Sequence, residues 1–433
     1  MCVIPDTRKS KLEVHMAKIV IIGGGWSGCA AAIAARKTGA EVEILERTDL
    51  LLGLGNVGGI MRNNGRFTAT EENIAMGADE LFAITDKCAT HKNVNFPGHD
   101  HATFYNVVKV EPEVRRLMRE MDIEVHLITR ITDVVKEGDR ITALESADGE
   151  HFDGDVFVDC TGTTGPMGNC MEFGNGCSMC VLRCPAFGPR VSISEKAGGH
   201  DYYGKRADGT PGAFSGSCKL EKSSLSEKIV KELNEKGVAV VPLPKELINE
   251  SKLSKKVCRQ YALPPFAENV ILIDTGYAKM MTPYFPLAEL RQVEGFENAR
   301  FVDPYAGGKG NSIRYTAVTE RDPFMKVKDV ENLFCGGEKS GLFIGHTEAI
   351  STGSLAGHNA GRAARGETLI TLPESTAIGS LLTYEKPDGG MITFAGDEFF
   401  AHMKETGLYT TDIEKIADRI ETAGLTGIYN AFN

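Results

Sequence analysis

Hydrophobic patterning is sharpest near the start of the chain. Residues 19–22, Ile19-Val20-Ile21-Ile22, form a β-branched run that reads as a buried strand. Glycines stand at 23, 24, 25 and 28, and the alanine-rich stretch 29–38 predicts a helix. A second apolar run predicts a strand over Glu41–Leu45, and Glu46 ends it. Polar and apolar positions at helical spacing predict an amphipathic helix over 111–121. Strands are predicted over 124–129, 141–144 and 155–159. Later, 226–236 reads as a helix closed by Gly237, followed by a strand over Val238–Pro242. A strand over 332–335 leads through glycines to a small-residue helix from about Thr347, and 412–423 is the clearest helix near the end. Residues 51–105 read as a glycine- and polar-rich excursion. There is no internal repeat and no low-complexity linker.

Strand, glycine turn, helix, strand and acid in that order form a dinucleotide fingerprint. Gly23 permits the tight turn, Gly25 lets backbone approach a pyrophosphate, and Gly28 lets the helix pack on the strand. Trp26 and Ser27 open the helix whose N-terminus attracts phosphate. Glu46, with Arg47 after it, stands where ribose hydroxyls are bound. A second mark follows the strand at 332–335: Gly336-Gly337-Glu338, then Gly345-His346-Thr347-Glu348 at a helix start. Thr161-Gly162 ends the strand at 155–159, and Gly58-Gly59 lies in a loop suited to wrapping a cofactor with backbone donors. These pieces point to FAD rather than NAD as the tightly held group. The fold class they predict is α/β: an FAD-binding Rossmann-like domain of the two-dinucleotide-binding type with an inserted α+β domain. The other dense glycine run, Gly307-Gly308-Lys309-Gly310, lacks the P-loop ending. A separate NAD(P)H domain is therefore not expected, and a nicotinamide reductant would dock against the flavin itself.

Composition narrows the picture. At 433 residues the chain is long enough for two or three domains. The expected division is a discontinuous FAD domain over 16–189 and 326–384, an inserted substrate-side domain over 190–325, and a C-terminal helical tail over 385–433. A net charge of −11 argues against strong nonspecific nucleic-acid binding. No apolar run reaches membrane-spanning length, and residues 1–15 lack an apolar signal core, so a cytoplasmic location is expected and no membrane contact. Met16 stands just before the first strand, so 1–15 read as an upstream extension.

Beyond these motifs, Gly295-Phe296-Glu297-Asn298-Ala299, the run Leu372-Pro373-Glu374-Ser375-Thr376-Ala377-Ile378-Gly379-Ser380-Leu381-Leu382, and the late positions Gly345, Glu348, Gly353, Ala356-Gly357 and Asn359-Ala360 carry a family resemblance. The chain resembles the group of FAD-dependent tRNA-modifying flavoproteins. That group contains the folate- and FAD-dependent tRNA uracil methyltransferases and the tRNA uridine carboxymethylaminomethyl-modification enzymes. The resemblance implies an FAD reducible by NAD(P)H and a folate as substrate. It also implies two other readings: a folate- and FAD-dependent RNA methyltransferase, and a noncatalytic FAD-binding subunit of a tRNA-modifying complex. The methyltransferases carry a catalytic cysteine after the first acidic residue. Here residues 53–65 contain glycines and amides but no cysteine, so tRNA methylation is not favoured. Arg62 and Asn63 of that stretch face either the flavin or substrate, or solvent.

The eleven cysteines suggest thiols or ligands rather than structural disulfides. Cys170, Cys177, Cys180 and Cys184 give C-x6-C-x2-C-x3-C followed by Pro185. Three readings stand: a metal or cluster, redox thiols beside the isoalloxazine, or packing thiols. His91, His99 and His101 are expected to be solvated. Lys252, Lys255, Lys256 and Arg259 are expected on a solvated helical face. No catalytic residue, metal ligand or oligomeric state follows from the sequence.

Overall fold

The structure is a computed structural model that describes residues 16–163, 183–203, 213–214, 218–255, 259–283, 285–302, 313–314, 317–385 and 390–431. Its centre is a five-stranded parallel sheet. In chain order the strands are β1 (Lys18–Ile22), β2 (Glu41–Leu45), β3 (Glu124–His126), β4 (Val156–Asp159) and β5 (Leu333–Cys335), and their spatial order is β5-β4-β1-β2-β3. The helices that matter most are α1 (Trp26–Lys37), α2 (Gly65–Ala75), α3 (Val110–Glu120) and α4 (His346–Ala364). The expected strands at 18–22 and 41–45 and the helices at 29–38 and 111–121 are present, with ends shifted by at most three residues.

Alternating strand residues divide the core. Ile19, Ile21, Val42, Ile44 and Val158 face the helices, beside Ala30, Ala31, Leu355 and Ala356. Val20, Ile22, Leu45 and Phe157 face the other way, onto Ile131, Ile141 and Leu144. Those last residues belong to an antiparallel meander of Ile131–Glu137, Arg140–Ser146 and His151–Asp153. Helices α1 and α4 approach through glycine. A Cβ on Gly353 would stand 2.3 Å from the Ser27 carbonyl oxygen, and one on Gly357 2.0 Å from that of Ala31. Only residues without side chains allow this approach.

A second sheet runs antiparallel, in the order Cys218–Leu220, Ala278–Met280, Asn269–Asp274, Val238–Pro242. The helix Glu227–Lys236 packs on it, N-capped by Ser226 and closed by Gly237 at φ +78°. Leu225, Ile229, Leu233, Leu272 and Phe296 fill its core.

Residues 51–105 depart from the expectation of a loop excursion. They hold α2, the helix Glu80–Lys87 and a three-stranded sheet built from Ile60–Met61, Ala89–Phe96 and His99–Tyr105. Ile60, Phe96, Ala102 and Phe104 pack against Phe266, Ile271 and Ile273 of the second sheet's side. The apolar positions were there, but glycines and amides at the turns masked their alternation. His99, expected in solvent, is buried for the same reason: it stacks on Phe96 at 4.6 Å between ring centroids. His91 pairs with Asp274 at 3.1 Å, and His101 meets Asn93. Lys252 and Lys255 lie on a 3-10 turn, Glu250–Lys255, rather than an α-helix; Lys256 lies outside the described residues.

The C-terminal helices Asp397–Glu405 and Ile413–Thr422 pack into the main core through Phe399, Met403 and Ile420. Phe394, Leu408, Leu425 and Tyr429 join the same cluster.

Candidate functional site

The carboxyl ends of β1, β2, β4 and β5 meet in one place, where an open parallel sheet presents its crevice. Gly23 has φ +95°, and a Cβ there would stand 2.5 Å from the Cys160 carbonyl oxygen. A Cβ on Gly28 would stand 1.8 Å from the Gly23 oxygen. Both positions are closed to any side chain. Gly25 differs: it is extended, at φ −66° and ψ −177°, and a Cβ there would meet no atom within 4 Å. Open space therefore stands over the α1 N-terminus, where Trp26, Ser27 and Gly28 present N–H groups outside the helix ladder. No side chain caps that end, and its first turn holds no carboxylate. Gly162, at φ +74°, likewise borders open space. This cradle of bare backbone donors fits a pyrophosphate.

The late motif closes on the first. A Cβ on Gly337 would stand 2.8 Å from Ser27 Cβ, and Ser27 Oγ lies 3.3 Å from Cys160 Sγ. Glu338 accepts a hydrogen bond from Thr163 Oγ1 at 2.9 Å. Thr161 donates to Asp159 from both N and Oγ1. Glu46 accepts from the Gly24 and Thr48 N–H groups, each at 2.7 Å, so it holds the glycine turn to the end of β2. Arg47 donates to the Gly188 carbonyl.

A second cluster forms around the loop at 53–59. Tyr105 Oη donates to Gly55 O at 2.7 Å and lies 3.2 Å from His346 Nδ1. Burial pushes the Tyr105 phenol well above its usual range, so it stays protonated and Nδ1–H of His346 is the donor to it. Trp26 packs edge-on to Tyr105 and beside His346, both with centroids 6.0 Å apart. Gly58 must lack a side chain, since a Cβ would stand 1.8 Å from His346 Cε1. Gly59, at φ +80°, packs on Thr275. On the far side, Lys219 and Lys279 are cross-strand partners. Their ammonium groups donate to Asn56 O at 3.2 Å and Gly58 O at 2.5 Å. Burial alone lowers the Lys219 pKa.

Glu348 is engaged inside the protein. Arg66 Nε reaches both of its oxygens at 3.1 Å, and Thr393 Oγ1 and the Phe394 N–H also donate to it. Gly345, at φ +145°, leaves room for that pair: a Cβ would stand 2.0 Å from Glu348 Oε2. Thr347 is buried against Met61. Arg62, mostly buried, is held by Glu71 and Asp86. Asn63 is buried between His99 and Arg66. Lys339, next to Glu338, is fully buried on Asp201 and Ser192.

Arg66, Tyr105, Lys219, Lys279 and Lys339 escaped the sequence reading. Only Lys339 had a signal, its place inside the late motif. The others are brought in by strands and a helix that the composition of 51–105 concealed, or by pairing across the second sheet.

Cys170, Cys177 and Cys180 lie outside the described residues. Cys184 is a free thiol in the turn Cys184–Phe187. Neighbouring Arg183 pairs with Asp49 at 2.6 Å, so this end of the cysteine stretch sits by the loop that follows β2. The other free thiols named among the described residues, such as Cys160, are buried. Burial pushes Cys160 up to about 12, which makes it a packing thiol.

Comparison with known proteins agrees with this geometry. Residues 18–165 match the family model described as FAD dependent oxidoreductase, and 266–368 match the one described as Glucose inhibited division protein A. The tRNA-(uracil-5-)-methyltransferase TrmFO of Bacillus pumilus is 36% identical over 94 residues, 22% of this chain and 21% of the relative. TrmFO of Enterococcus faecalis is 34% identical over 132 residues, 30% and 28% respectively. The matched stretches thus span less than a third of these relatives. Aquifex aeolicus GidA superposes with a TM-score of 0.63 at 16% identity, covering 95% of this chain and 77% of that one, which shows a shared fold.

Proposed function

We propose that the chain is an FAD-dependent oxidoreductase of the tRNA-modifying flavoprotein kind, reduced by NAD(P)H and acting on a folate. The observation that carries the proposal is the open space at Gly25 over the uncapped N-terminus of α1. Gly23, Gly25, Trp26, Ser27, Gly28 and Gly162 would hold the pyrophosphate through backbone. Glu46 and Glu338 would accept hydrogen bonds from ribose and ribityl hydroxyls. FAD held there supplies hydride exchange with a nicotinamide or a reduced pterin.

The chain's own residues set the conditions. Glu348 is neutralised by Arg66, so the α4 N-terminus keeps its favourable field for negative charge. Lys219 and Lys279 hold the carbonyls of Asn56 and Gly58, which turns the loop's backbone toward one arrangement. His346 donates to Tyr105 and is thereby fixed in one tautomer.

Methyl transfer to tRNA is the second reading, favoured by the likeness to the TrmFO methyltransferases. Against it, residues 53–65 hold no thiol to add to a uracil ring. The test has three parts. Purified protein should show a flavin spectrum. NADH or NADPH should bleach it anaerobically, faster when folate binds. Labelled methylenetetrahydrofolate with unmodified tRNA should give no 5-methyluridine. A protein without flavin sinks the proposal. Retained flavin that neither nicotinamide bleaches favours a noncatalytic subunit. Labelled 5-methyluridine establishes the methyltransferase reading.

A further inference from the structure

The sheet face turned away from α1 and α4 carries a group that the cofactor site does not use. Glu43 of β2 is in register with Glu124 of β3, and Leu45 with His126. Side chains two apart on a strand share a face, so Glu43, Glu124 and His126 converge. His126 Nε2 stands 3.4 Å from Glu43 Oε2 and 3.4 Å from Glu124 Oε1. The Glu43 side chain is only 6% exposed, whereas that of Glu124 is 67% exposed. His126 Nε2 is a buried atom without a hydrogen-bond partner among the described residues. Lys18 Nζ stands 3.2 Å from Glu43 Oε1 as an ion pair, and Phe152 covers the imidazole edge-on at 5.4 Å.

A separation of 3.4 Å is longer than an ordinary N–H···O bond. It also matches the spacing of ligands around one ion. Tetrahedral bonds of about 2.0–2.2 Å put neighbouring ligand atoms about 3.3–3.6 Å apart. One imidazole and two carboxylates also make a donor set of the zinc type.

We propose that Glu43, Glu124 and His126 form a binding site for a divalent transition ion of the zinc class. His126 binds through Nε2, Glu43 through Oε2 and Glu124 through Oε1, and water completes the tetrahedron from the open side of Glu124. Lys18 keeps the other oxygen of Glu43 and so orients that carboxylate. The ion clips the three-residue edge strand β3 to β2, on the sheet face turned away from α1 and α4.

The experiment titrates zinc into chelator-treated, FAD-loaded protein by calorimetry, with cobalt difference spectra alongside. Wild type should bind one equivalent more than His126→Ala, and that equivalent should show no thiolate-to-cobalt charge-transfer band. Glu124→Gln should weaken the same equivalent by about tenfold or more. Zinc held by cysteines would be common to all three proteins. Equal zinc stoichiometry and affinity in wild type and His126→Ala at unchanged FAD content overturns the site. If His126→Ala loses FAD, Glu124→Gln decides by the same criterion, because its side chain is largely in solvent.

Discussion

Arg66 and Glu348 lie 282 positions apart in sequence, yet Arg66 Nε reaches both Glu348 oxygens at 3.1 Å. Their side chains are 5% and 1% exposed. The pair is the middle of a longer chain of bonds. Arg66 also donates to Asn63 Oδ1, Asn63 Nδ2 meets His99 Nδ1, and His99 Nε2 meets Gln260 O. The chain thus runs from the first turn of α4 to Gln260, beside the second sheet.

Breaking this pair should cost more than removing it. Glu348→Gln or Arg66→Met leaves one buried charge without its partner, a loss of about 3–5 kcal/mol. The double variant Arg66→Met, Glu348→Gln strands neither charge and should be less unstable than the sum of the two. Urea unfolding of the four proteins measures the coupling. Additive losses would show that the two side chains act independently.

The glycine turn separates cofactor binding from folding. Valine at 25 enters open space at an ordinary φ, so Gly25→Val should fold with a nearly unchanged flavin-free melting temperature and retain no FAD. Valine at 28 would strike the Gly23 carbonyl, so Gly28→Val should fail to fold or lose several kcal/mol. Flavin content and melting temperature, read together, distinguish the two. Stoichiometric flavin in Gly25→Val would remove the pyrophosphate from this cradle.

Much of this was legible in the chain. The parallel core is a regular alternation interrupted by glycine, and both motifs at the strand ends carry their own signatures. What Glu46 and Glu348 do was only half legible. Each was read as a cofactor ligand from its place in a motif, but each also spends bonds inside the protein, Glu46 on the turn and Glu348 on Arg66. No local pattern announces Arg66, because its partner comes from the other end of the sequence. The buried state of His99 was hidden similarly, since Tyr261, which covers it, is distant in sequence.

Lys219 is held at a cost to stability. Its ammonium is largely buried, with Asn56 O and the Tyr277 ring as contacts and no carboxylate among the described residues. Lys219→Met removes a buried charge and keeps most of the volume, so unfolding free energy should stay within about 1 kcal/mol or rise. Flavin reduction by NAD(P)H should slow several-fold, because the Asn56 carbonyl loses the group that holds it. A variant that is both destabilised by several kcal/mol and unchanged in reduction rate would make Lys219 purely structural.

His99 gives the fold a dependence on acidity. Burial, the largest influence, lowers its pKa to about 3, and its bonds to Asn63 and Gln260 suit the neutral ring with the proton on Nε2. His358, also buried, is lowered to about 4. Both groups titrate near 6.5 when unfolded. Below that pH the unfolded chain takes up protons that the folded chain refuses, so stability is full above about 6.5 and falls as pH drops toward 4 and then 3. Each histidine contributes about 1.4 kcal/mol per pH unit within its window. Unfolding free energy from pH 7 to pH 5 should fall more steeply in wild type than in His99→Gln, by the equivalent of nearly one proton. Identical slopes in the two proteins would mean that His99 is protonated in the folded state and that the chain from Gln260 to Arg66 is not bonded as described.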